Sequence, residues 1–151
     1  MGVESESQHE SLAAWAKRYY FANRAAIDSQ LRPYDLGSTQ WYVLYELVHI
    51  GPLMQRDLGQ LLHLERATLS GVIATLVRKG LIDQMADVTD QRQRVLRMTD
   101  AGTKLWNELP DPTAVVRANS FKDASEADVA TAIRILEAAT RRLDGYTDAG
   151  E

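Results

Sequence analysis

Apolar residues recur near helical spacing along most of the chain. Leu12, Trp15, Tyr19, Ala22, Ala26 and Leu31 alternate with Lys17, Arg18, Arg24 and Asp28, so residues 11–31 read as one long amphipathic helix that stops at Arg32-Pro33. A second helix is expected from Gly37 or Ser38, with Ser38 as its N-cap, through Trp41, Val43, Leu44, Leu47, Val48 and Ile50 to the Gly51-Pro52 breaker. It is apolar nearly all round, which predicts burial.

Two shorter helical segments follow, at 56–62 and 66–79, separated only by His63-Leu64-Glu65, the spacing of a helix-turn-helix. The second carries Leu69, Val72, Ile73 and Leu76 as one apolar stripe and ends at Lys79-Gly80, where glycine can take a left-handed C-cap. Residues 81–86 and 92–98 are strand candidates joined through Asp87 to Gln91, which predicts a hairpin. Thr99 then caps a helix that must end or kink at Pro110 and Pro112, with Asp111-Pro112 reading as a new helix start. The run SEAD at 125–128 resembles a capping box and opens a last helix with Val129, Ile133, Leu136 and Leu143 on one side. The expected fold is mainly α with a small β-hairpin, and a hairpin directly after a helix-turn-helix is the winged-helix arrangement.

Composition narrows the chemistry. A chain of 151 residues most economically makes one domain, and no stretch approaches the roughly 18 apolar residues of a membrane span. The start MGVESESQHE is acidic and polar, unlike a signal peptide; residues 1–10 are expected to be disordered, 146–151 to form a flexible tail, and the protein to be cytoplasmic. There is no cysteine, which excludes disulfides, thiolate metal sites and thiol switches. His9, His49 and His63 lack metal-ligand spacing, and no HExxH, GxxxxGK or GxSxG occurs, so neither an enzyme, a metal nor a cofactor is expected. Net charge is −4, which by itself argues against nucleic acid. The average conceals an asymmetry: from Gln55 to Asp100 seven basic residues face six acidic ones, whereas the rest holds ten against fifteen.

Two stretches carry a resemblance. DLGQLLHLERATLSGVIATLVRKGLI at 57–82 and DQRQRVLRMTDAG at 90–102 resemble the MarR family of bacterial transcription regulators; the second is similar to its wing signature, with Met98 in place of the usual leucine before Thr99 and Gly102 beyond. The likeness extends over roughly residues 11–144. It implies a winged helix-turn-helix lobe at 37–99, a helical dimerisation region at 11–36 and 100–145, and a homodimer straddling a pseudo-palindromic double-stranded DNA operator with half-sites about 10 bp apart.

The DNA-binding candidates are Arg66, Thr68, Ser70, Gly71 and Thr75 on the recognition helix, with Asp90, Arg92 and Arg94 on the wing. Arg66, Thr68 and Ser70 can bond to base edges or phosphates, Ala67 and Ala74 suit thymine methyls, and a wing-tip arginine can enter the minor groove. Asp90 is expected to orient Arg92 rather than touch DNA, since phosphates repel a carboxylate. The competing reading of the wing charges is a solvated turn with a surface ion pair worth about 0–1 kcal/mol. Gly71 and Thr75 stand where family members often carry longer polar side chains, and Gln84 where an arginine is common, so direct readout is expected to be thin and the removal of that arginine to cost a phosphate contact or a wing brace.

Trp15, Arg18, Tyr19, Trp41, Tyr45 and His49 are candidates for a small aromatic or anionic effector, as the resemblance implies; aromatic residues at helical spacing are more often core or dimer interface. Tyr20 and Tyr42 belong to the same aromatic-rich helices. The leading expectation is a repressor released by such a ligand. Its rival is a winged-helix module for protein or ligand binding without strong DNA affinity.

Overall fold

The computed structural model describes residues 11–149, so the polar segment at 1–10, His9 included, lies outside the described residues. The elements run α1 Leu12–Leu31, a 3₁₀ turn Arg32–Tyr34, α2 Ser38–Ile50, β1 Leu53–Met54, α3 Gln55–Leu62, α4 Arg66–Arg78, β2 Ile82–Ala86, β3 Arg94–Met98, α5 Asp100–Glu108, α6 Pro112–Ser120 and α7 Glu126–Asp148. This is a mostly helical winged helix-turn-helix protein with a small antiparallel sheet. Among the described residues no helix is long and apolar enough to cross a membrane.

The chain forms two compact units, one reaching Pro112 and the other starting at Thr113. In the first, Ile27 and Leu31 of α1, Val43, Leu44 and Leu47 of α2, Leu58 of α3, Leu69, Ile73 and Leu76 of α4, and Ile82 and Leu96 of the sheet are buried. On α2 and α4 these are apolar positions that the spacing picks out, but on α1 the expected stripe is not the buried face: Leu12, Trp15 and Tyr19 are exposed, and Ile27 joins Leu31 in the core. Removal of these side chains from water is the main favourable term for folding. Polar ties fix the helix junctions. Asp28 accepts the backbone N–H of Ser38, Arg24 Nη2 donates to Thr39 Oγ1 at 2.8 Å, and Lys79 Nζ donates to the Asp35 carbonyl and to Gln40 Oε1.

Two expectations change here. Ser38 does not cap α2: Gly37 is the N-cap, and Ser38 is the first helical residue, buried, its N–H taken by Asp28. The hairpin is also not alone. Leu53 and Met54 pair antiparallel with Leu96 and Val95, giving the strand order β1-β3-β2. Two residues beside a Gly-Pro breaker carry no period, so this strand has no signature in the sequence. Gly80, at φ 74, closes α4 as expected, and the Leu81 N–H reaches back to the Leu76 carbonyl.

Thr99 caps α5: its hydroxyl accepts from the Gly102 N–H at 3.0 Å and donates to the Gly80 carbonyl at 2.6 Å. Thr99→Ala is therefore expected to cost about 1 kcal/mol in urea unfolding, and Thr99→Ser much less. In the second unit Ser125 caps α7 by accepting from the Asp128 N–H, and the helix continues past Gly145 to Asp148, into the segment expected to be a tail. Ile133, Leu136 and Leu143 of α7 are exposed.

Candidate nucleic-acid interface

The helix-turn-helix is set by local backbone geometry. His63 takes the left-handed conformation at φ 52 to end α3, and the Leu64 N–H bonds to the Gly59 carbonyl. A β-carbon on Gly59 would stand 3.3 Å from Leu69 Cδ2, so glycine here allows α3 and α4 to approach closely. With Leu69, Ile73 and Leu76 buried, α4 turns Arg66, Ala67, Thr68, Ser70, Gly71 and Ala74 to solvent. Its N-cap, Glu65, makes no side-chain bond to the first turn, so amide donors are left at the end that carries Arg66.

The wing extends well beyond the core: Ile82 alone of β2 is buried, and Val88 at the tip is fully in water. Asp87 organises the tip by accepting from the Thr89 hydroxyl at 2.6 Å and the Asp90 N–H at 3.2 Å. The Thr89 bond, with the backbone N–H groups around it, holds the Asp87 carboxyl below its ordinary range. A carboxylate lowered in this way supports the turn at neutral pH and stops doing so as the pH falls through its folded pKa. Asp90 Oδ1 accepts the Arg92 N–H at 3.0 Å and lies 3.6 Å from Arg92 Nε, while Arg94 Nη1 donates to the Gln91 carbonyl at 3.0 Å. Asp90 therefore sits where it can orient Arg92, whose side chain is 93% exposed.

Between α3, the start of α4 and the wing lies a groove of about 560 Å³. Arg56, Arg66, Arg92 and Arg94 line it with Gln55, Gln60, Ser70, Gln84 and Gln93, and no carboxylate is among the lining residues. A chain of net charge −4 thus gathers four guanidinium groups at one opening. The sequence reading did not select Arg56 or Gln55; their signal was position alone, the first turn of the first helix of the helix-turn-helix. Gln84 corrects the expectation that a brace is missing at its position. Its Nε2 donates to Gln55 Oε1 at 2.7 Å, and Gln55 Nε2 donates to Ser70 Oγ at 3.4 Å.

The recognition-helix candidates divide. Arg66 and Ser70 line the groove with the wing arginines, whereas Thr68, Gly71 and Thr75 do not line it. The Thr75 hydroxyl donates to the Gly71 carbonyl and accepts from Arg78 Nη2. A β-carbon on Gly71 would meet nothing within 4 Å. Gly71→Ala is accordingly expected to raise stability by about 0.5–1 kcal/mol. If the bare backbone lies against DNA, the same substitution weakens binding; thermal unfolding and DNA titration of one variant read both effects.

A family model described as MarR family matches residues 34–93, from the end of the 3₁₀ turn to the wing. Over this stretch the chain is similar to the MarR family. A helix-turn-helix-type transcriptional regulator of Bacillus subtilis, YwoH, otherwise uncharacterised, is 33% identical over 82 residues, or 54% of this chain, and the match spans 59% of that relative's length. PcaV, a transcriptional regulator of Streptomyces coelicolor whose structure was solved with its natural ligand, is 26% identical, with a TM-score of 0.74 and full coverage of both chains. A mutant of MarR from E. coli, solved with operator DNA, shares the fold at 18% identity, with a TM-score of 0.75 over 85% of this chain and 92% of that one.

The aromatic candidates fall into groups. On α1 the Arg18 guanidinium lies 4.7 Å from the centroid of the Trp15 ring, and Tyr19 is exposed. On α2 Trp41 is buried and stacks on Trp106 of α5 at 5.5 Å, while Tyr45 stacks on His49 at 4.1 Å. Trp106 is a member that helical spacing within α1 and α2 could not reveal. A separate recess of about 250 Å³ lies between α1, α2 and the end of α3, lined by Tyr20, Asn23, Arg24, Thr39, Tyr42, Leu61, Leu62 and Leu64. Burial raises the Tyr42 phenol above its ordinary value against the opposing hydrogen bond with Asn23, so the phenol is neutral at physiological pH.

Proposed function

We propose that this protein is a sequence-specific double-stranded DNA-binding transcription regulator of the MarR family, acting in the cytoplasm. It acts as a homodimer on a pseudo-palindromic operator, as a repressor that a small aromatic or anionic ligand releases. The observation that carries the reading is the groove in which Arg56, Arg66, Arg92 and Arg94 converge beside the outward face of α4, with no carboxylate in its lining. Phosphate neutralisation supplies much of the affinity for DNA, and side chains on the exposed face of a recognition helix read base edges in the major groove. The operator complex of the E. coli relative supports the same use of the fold.

Dimer formation is supported by the exposed Ile133, Leu136 and Leu143 of α7, an apolar face that a second copy would remove from water. The 11–36 and 100–145 segments supply the dimer contacts in this reading and 37–99 the DNA contacts. For the ligand, the exposed Trp15, Arg18 and Tyr19 and the Tyr45–His49 stack offer rings with a neighbouring cation, Trp41 backs the stack, and PcaV provides a ligand-bound relative. Release requires the ligand to favour a dimer shape whose half-site spacing no longer fits the operator.

A gel-shift with DNA from upstream of the protein's own reading frame, at two salt concentrations, tests the proposal. Nanomolar-range binding that weakens steeply with salt is the expected result, with a log–log slope of about −0.9 per neutralised phosphate. Binding no tighter than to unrelated duplex would overturn it in favour of a protein- or ligand-binding module.

A further inference from the structure

Gln84 and Gln55 join the wing to the recognition helix. Leu96 of β3 pairs with Leu53 on one side and with Gln84 on the other, so the end of β1 delivers Gln55 to the same side of the sheet as Gln84. From there Gln84 Nε2 donates to Gln55 Oε1 at 2.7 Å, and Gln55 Nε2 donates to Ser70 Oγ at 3.4 Å. All three residues line the arginine groove.

A carboxamide has a donor end and an acceptor end, so two in series have a direction. In this direction the Ser70 oxygen receives a hydrogen bond from within the protein, and its own O–H is left to donate outward. We propose that Gln55 and Gln84 are positioning residues that set the hydrogen-bond polarity of Ser70. The recognition helix then prefers a major-groove acceptor opposite Ser70, a purine N7 or O6 or a thymine O4, over the N4 amino group of cytosine. This inference rests on the DNA-binding reading above. It makes the wing a contributor to base choice through the recognition helix.

The probe is a randomised duplex pool selected on the full-length protein, followed by titration of single-position variants of the selected duplex. Wild type is expected to disfavour cytosine at one position by about three- to tenfold, the discrimination one uncharged hydrogen bond supplies. Ser70→Ala and Gln84→Leu should each erase that preference, and the double variant should lose no more than either alone. In Gln84→Leu the change in base preference should fall on that one position, whatever happens to the overall affinity. Gln84→Glu can only accept, so Gln55 must turn over and take the Ser70 proton, and cytosine should become the favoured base there.

Full retention of the preference in Gln84→Leu, with its loss in Ser70→Ala, overturns the relay. So does a Gln84→Leu variant that weakens all sequences equally, since that is the mark of a mere brace. A wild-type protein that enriches no sequence instead overturns the DNA-binding reading itself.

Discussion

Arg92→Ala is expected to lower operator affinity about ten- to hundredfold, the range of one well-placed arginine contact with DNA. The guanidinium is almost wholly in water, and the backbone beneath it is fixed by Asp90, which takes the Arg92 N–H and lies against Nε. Little buried surface is lost in the substitution, so stability should hardly change while binding falls. The log–log salt slope should flatten by about one. Arg94→Ala should act in the same direction. Asp90→Ala should cost less, because the charge remains and only its orientation is lost. The wing is expected to carry this weight because α4 offers small side chains at Gly71, Ala67 and Ala74. Fluorescence anisotropy across a salt series measures both quantities, and an Arg92→Ala affinity within about twofold of wild type would show that Arg92 does not contact the DNA.

Gly102→Ala is expected to destabilise the first unit by about 3 kcal/mol or more, at the upper end of overpacking costs. A β-carbon at this buried position would stand 2.1 Å from the Leu81 carbonyl oxygen, 3.0 Å from its carbon and 3.2 Å from Met98 Cε. The side chain of Met98 can move, but the Leu81 carbonyl cannot easily do so, because it accepts the Thr99 N–H at 3.1 Å and belongs to the buried Leu81-Ile82 entry into β2. The first turn of α5 therefore rests on the backbone between α4 and the wing, and relief of the clash must tilt α5 or displace β2. A fall of roughly 10 °C in the thermal midpoint is the corresponding observable. DNA binding should fall with it through the wing. A variant melting within about 2 °C of wild type would mean that the junction yields more readily than its hydrogen bonds suggest.

The helices were legible because each repeats an apolar face every three or four residues, whether that face is buried, as in α4, or exposed, as in α7. Leu69, Ile73 and Leu76 are buried as their spacing requires, and Thr99 and Ser125 cap α5 and α7 through their own hydroxyls. Ser38 misled because an N-cap residue type beside a glycine fits either role. What decided it was Asp28, ten residues earlier on another helix, which supplies the acceptor. β1 escaped notice because two residues owe their extended state to β3, more than forty positions away.

The sequence by itself determined the order of elements, the helix-turn-helix, the hairpin with its two arginines and the resemblance to the MarR family, because these depend on neighbours within a few turns. Only the tertiary structure decided which side chains share a site. It brought Arg56 and Arg66 to Arg92 and Arg94, separated Ser70 from Thr68, Gly71 and Thr75, added Trp106 to the aromatic stack, and turned Gln84 from a missing arginine into the start of a hydrogen-bond chain. The physical reason is distance: hydrogen bonds, ring stacking and electrostatic focusing act over a few ångströms in space, and residues far apart in the chain reach that range only after the core has folded.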